Sequence, residues 1–101
     1  LGMLRNNKGK YLELARMLSA GNVERIASIR RSLGIGDRVT AENIVHSLKG
    51  SSGNLGCTAL YDAAKELSDM LRQPECDVQR IQASIAELES AQQALAKALH
   101  G

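Results

Sequence analysis

Phenylalanine and tryptophan are absent from this chain, and Tyr11 and Tyr61 are its only aromatic residues. A core must therefore be built from Leu, Ile, Val, Ala and Met, the side chains that packed helices use. Nucleic-acid bases would find almost nothing to stack on. Cysteine occurs twice, at Cys57 and Cys76, with no CxxC pair and no metal set with His46 or His100. Neither a disulfide scaffold nor a zinc site is indicated, and two reduced thiols in a cytoplasmic protein are expected. Proline occurs once, at Pro74, so enforced breaks are few. No stretch approaches the roughly 18 apolar residues of a membrane span, and no signal peptide is visible. The net charge is only +2, with Lys and Arg scattered among acids. That balance indicates neither a nucleic-acid nor a membrane partner. The chain does not open on Met, and residues 1–6 are expected to be tag or linker.

What is present is enough for one domain. The hydrophobic share is 44%, sufficient for a packed core in a chain of this size. Apolar residues recur at three- and four-residue spacing, with no alternating run of strand type. This periodicity predicts five helices, at about residues 8–19, 23–33, 38–55, 59–73 and 78–99. Gly21 is expected to interrupt the first, and Asn22, Asp37, Thr58 and Asp77 to cap the later ones. Gly34, Gly36 and Gly56 mark helix ends, and Pro74 stops the fourth. Connections this short force neighbours to be antiparallel. The fold class is therefore all-α. It is expected to be an up-down antiparallel four-helix bundle with a short N-terminal capping helix, forming one domain over residues 1–101.

The third segment carries an anomaly. Taking Ile44 as zero on a helical wheel, Leu48, Ser51 and Leu55 fall within about 40° of it. His46, Lys49, Gly50 and Gly53 fall on the other side, between about 140° and 240°. The histidine thus points away from the apolar stripe, beside a cation and two residues without side chains. A neutral imidazole is a competent nucleophile. Phosphoryl transfer asks of its acceptor mainly in-line position and stabilised charge on the equatorial oxygens. Lys49 shares the face of His46 and suits those oxygens. Each residue alone has a bland reading. Surface histidines usually do nothing, a lone lysine is a solvated charge, and helix glycines often mark close packing. A glycine inside a helix costs up to about 1 kcal/mol, so two beside a histidine also suggest clearance for an approaching surface.

The run His46-Ser47-Leu48-Lys49-Gly50, followed by Gly53-Asn54-Leu55-Gly56, resembles the signature of the histidine phosphotransfer (HPt) domain family. Gly36-Asp37-Arg38 and Ala41-Glu42 upstream are similar to its helix start, and Leu60, Ala64, Lys65, Glu66 and Leu67 to its next helix. The clear match covers residues 36–72. The resemblance implies a bundle of four antiparallel helices. It implies phosphate on Nε2 of His46, taken from an aspartyl phosphate of a response-regulator receiver domain and passed to another receiver. It implies no cofactor in this domain, since the receiver brings the acidic pocket and Mg²⁺. It implies no nucleotide site, and hence a phosphotransfer intermediate rather than a kinase. Family members are often the C-terminal domain of a hybrid sensor histidine kinase, and others stand alone. A monomer is expected.

Two departures stand out. The family often has an acidic or amide residue after the Leu matched by Leu67, where this chain has Ser68. Antiparallel helices joined at Gly56-Cys57 bring Ser68 opposite His46, Lys65 near Lys49 and Arg72 near Glu42. Ser68 is shorter than the family's residue and is expected to orient the imidazole only through a water; Lys65 would add to a positive rim. The family also tends to have a Phe in its first helix, so Tyr11 or Met17 is expected in the end packing. Tyr61 is expected at the bundle end, and His100 is expected to be inert. Two other readings remain open: a receiver-docking or structural bundle without phosphate, and the phosphate-accepting domain of a chemotaxis-type kinase. A metal site at His46 lacks a second ligand. Small-molecule catalysis lacks a pocket on a convex helix face.

Overall fold

The structure, a computed structural model, describes residues 8–74 and 77–100. Its elements are α1 (Lys8–Gly34), α2 (Arg38–Asn54), α3 (Thr58–Arg72) and α4 (Val78–His100), with no strand among the described residues. α1 packs on α2, α2 on α3, α3 on α4, and α4 back on α1. This is a closed up-down ring, as short connections require. Ile29, Val45, Leu48, Leu60, Leu67 and Leu88 are fully buried at its centre. Burying each stabilises the fold by about 2 kcal/mol.

α1 corrects the sequence reading. One helix of 27 residues replaces the expected pair, so among the described residues there is no separate capping helix. Gly21 weakens a helix without ending it. Asn22, expected as a cap, is fully buried and donates from Nδ2 to Gln92 Oε1 of α4 at 2.9 Å. A buried partner across the bundle outcompetes the local turn that Asn would otherwise make. The extra length still covers the bundle end, because Tyr11 Oη donates to the Leu55 carbonyl at 2.8 Å. Met17 takes no part in that packing and is 64% exposed. The apolar Leu12 and Val23 are also exposed.

The turn into α2 follows its sequence closely. Gly36 has φ of +78° and Gly56 +72°, the left-handed region that only glycine enters freely. Asp37 accepts from the Thr40 backbone N–H at 3.1 Å and from Thr40 Oγ1 at 2.6 Å. These bonds hold its carboxyl below the usual carboxylate range. Asp77 likewise accepts from the Gln79 N–H at 2.9 Å.

α3 begins at Thr58, so Thr58 is not its cap; Cys57 holds that position and makes no side-chain capping bond. Burial pushes the Cys57 thiol up, and it is free. Met70 is half-buried, and Val78 is 66% exposed. The expectations for residues 1–6 and Cys76, and for the side chain of His100, fall outside the described residues.

Candidate functional site

The buried residues of α2 are Ala41, Val45, Leu48 and Ser52. The core-facing stripe is thus turned by about 50° from the one expected through Ile44, Ser51 and Leu55, which are half-buried on its flank. His46 stays outside it and is exposed in the middle of the helix. Among the described residues, nothing hydrogen-bonds its imidazole. One ring nitrogen of a neutral imidazole carries a free lone pair, and here it is open to a partner.

The two glycines part company. A Cβ at Gly50 would have nothing within 4 Å, whereas one at Gly53 would meet Tyr61 Cδ2 at 3.3 Å. Gly53 therefore lets the Tyr61 ring lie against α2, which is close packing. Gly50 serves no contact of the described fold. It is exposed one turn from His46, and its cost to the helix has no internal return.

Lys49 is half-buried and Lys65 exposed. Arg72 Nε donates to Glu42 Oε1 at 3.3 Å, so the register of α2 against α3 is the one expected. That register brings Lys65 level with Lys49 and Ser68 level with His46. Ser68 is nevertheless 1% exposed and its Oγ has no partner. It makes no bond to the imidazole and belongs to the packing between helices. Ser68→Ala removes an unsatisfied buried hydroxyl, and such a change is neutral or stabilising by up to about 1 kcal/mol. Thermal denaturation is expected to show no loss of stability, and phosphate transfer to proceed unchanged. A drop in transfer rate would restore Ser68 to the site.

Arg38 was not singled out by sequence. Its Nη2 donates to the carbonyls of Met70 at 3.4 Å and Gln73 at 3.0 Å, closing the C-terminal end of α3, where free carbonyls need donors. The sequence placed it only within the run Gly36-Asp37-Arg38 at a helix start, which carries no partner information.

The His46 side chain is exposed to solvent. A hollow of about 430 Å³ lies at the bundle end, lined by Leu33, Arg38, Val78, Ile81 and Ile85 among others, away from the histidine. No group of His, Cys, Asp and Glu among the described residues could hold a metal ion. No helix there is long and apolar enough to cross a membrane. The arrangement offers a nucleophile on an open face, with a cation beside it and space one turn away.

A family model for the Hpt domain matches residues 13–100, which takes in most of α1 and all of α2, α3 and α4. The chain belongs to the Hpt domain family. No curated protein and no solved structure matches it. Hpt domains are histidine-containing carriers in the phosphorelays of two-component signalling, and they interact with response-regulator receiver domains. The match extends well beyond the motif around His46, into α1 and α4.

Proposed function

We propose that this Hpt domain accepts a phosphoryl group on His46 from a receiver-domain aspartate and passes it to another receiver. The observation that carries the reading is the exposed, unpartnered His46 beside Gly50, a glycine that the fold itself does not need. Nε2 of the neutral imidazole attacks phosphorus in line. The N–P bond forms as the acyl O–P bond breaks, and the electron pair leaves with the aspartate carboxylate. The imidazolium then loses its Nδ1 proton to water. The second transfer runs the same step in reverse onto a new aspartate. The receiver supplies Mg²⁺ and the acidic pocket, and the Lys49 ammonium faces the equatorial oxygens as charge spreads over them. The domain contributes no kinase site. It works as a monomer in the cytoplasm, within a hybrid sensor kinase or free-standing.

The test is incubation with receiver domains charged by acetyl phosphate in the presence of Mg²⁺. Wild-type protein is expected to gain acid-labile, base-stable phosphate. No uptake from any receiver of the host would overturn the reading. Lys49→Ala is expected to slow transfer about tenfold, the loss of one charged hydrogen bond at a half-exposed site. The melting temperature should hold. An unchanged rate would remove Lys49 from the mechanism.

A further inference from the structure

A chain of polar side chains runs through the bundle between α1 and α4. Gln92, 3% exposed, donates from Nε2 to the Ser19 carbonyl and to Ser19 Oγ, both at 2.8 Å. Asn22, fully buried, donates to Gln92 Oε1 at 2.9 Å. Asn22 Oδ1 in turn accepts from Arg25 Nη1 at 3.4 Å. Part of this chain pins α1 to α4, as a satisfied buried network does. Its last member, Arg25, has no such need, because it lies at the surface end.

Arg25 is half-buried and folded back along its own helix. Its Nη1 lies 2.8 Å from where a Cβ at Gly21 would stand, so the guanidinium occupies space that only glycine leaves free. The other described arginines with ion pairs are matched to carboxylates: Arg30 to Glu89, Arg31 to Glu24 and Arg72 to Glu42. Arg25 is held by an amide oxygen instead, and most of its five N–H donors remain unused.

Its position follows from the helix. Gly21 lies about 100° round α1 from Asn22, and Ser28 about 120° in the same sense. Ser28 lines a hollow with Thr40 and Ile44 of α2, so Gly21 and the guanidinium over it lie on the α2 side. Ser28 beside Ile44 in an antiparallel pair brings Arg25 level with Ser47, the neighbour of His46. Folded over Gly21, the guanidinium reaches about one turn further, to the level of Gly50. The open patch at Gly50 thus has Lys49 and Lys65 on its α3 side and Arg25 on its α1 side.

We propose that Arg25 is a docking residue of the phosphotransfer face, positioned by the Asn22–Gln92–Ser19 chain to meet acidic groups on the rim of the receiver. The inference rests on the function proposed above. It adds that the receiver straddles α1, α2 and α3 rather than α2 and α3 alone.

The experiment measures transfer from an acetyl-phosphate-charged receiver to the whole domain, as KM and kcat over a series of salt concentrations. Arg25→Ala is expected to raise KM about fivefold and to flatten its salt dependence, with kcat unchanged, as loss of a rim charge does. Arg25→Lys should recover part of the loss. Gly21→Ala is the decisive companion. It pushes the guanidinium aside without deleting it, and alanine favours the helix, so this variant should melt about 4 °C higher while also raising KM. A purely structural role could not produce weaker docking in a more stable protein. Wild-type KM and salt dependence in both Arg25→Ala and Gly21→Ala would overturn the proposal. A wild-type domain that takes phosphate from no receiver would defeat the underlying function and this inference with it.

Discussion

His46→Gln is expected to abolish phosphate uptake altogether and to leave the bundle intact. The side chain is exposed and, among the described residues, makes no hydrogen bond. Its removal should therefore cost the fold no more than about 0.5 kcal/mol, the range of ordinary surface substitutions. Glutamine retains a polar side chain but presents no nucleophilic nitrogen, because the amide lone pair is delocalised. Labelled phosphate from a charged receiver should remain on the receiver. The circular-dichroism melt should overlay that of the wild type. Residual uptake at a comparable rate would mean that another group accepts the phosphate.

The second large effect is expected from Gly50→Leu, and its value lies in opposite signs. Outside its own helical backbone and chain neighbours, nothing lies within 4 Å of a Cβ at Gly50, so the first carbon of the new side chain clashes with no packed neighbour. Leucine is a better helix former than glycine by up to about 1 kcal/mol, and the variant should be slightly more stable. Transfer should nevertheless fall about 100-fold. Displacing a docked reactant by roughly an ångström costs that much in a reaction that depends on in-line position. Stopped-flow or quenched-flow transfer and a thermal melt on the same sample check both halves. Gly53→Ala is a useful contrast, because its methyl would press on the Tyr61 ring at 3.3 Å. Its effect should be on α2–α3 packing first. A Gly50→Leu domain that transfers at the wild-type rate would show that the space is not used by a partner.

These two residues also show what could be read without coordinates. His46 stood out because periodicity alone places it off the apolar stripe, and the burial of Val45 and Leu48 on the other side keeps it outside. Asp37 as a cap, and Gly36 and Gly56 at helix ends, were legible because capping bonds and positive φ are local requirements. Tertiary competition was not legible. Asn22 has the chemistry of a helix cap, and only the distant Gln92 makes it a core residue. For the same reason Gly21 read as a break, when one continuous helix runs through it. Ser68 was placed at the right level, and its burial between the helices was not foreseen. Register follows from connection length, whereas the direction in which a short side chain points depends on packing from both neighbours. The two glycines beside His46 looked equivalent, and only the position of Tyr61 separates them. The stripe on α2 was misjudged by about half a residue step, since the chosen origin, Ile44, sits at the edge of the core rather than at its centre.

The central claim is that the imidazole of His46 carries the phosphate, and site mapping tests it most directly. Wild-type domain would be incubated with a charged receiver and Mg²⁺, then digested and sequenced by tandem mass spectrometry at alkaline pH, where phosphohistidine survives. The expected result is one phosphorylated peptide, with the phosphate on His46. Phosphate on Ser47 or on any other residue, or an unmodified His46 peptide after the receiver has lost its phosphate, would contradict the claim.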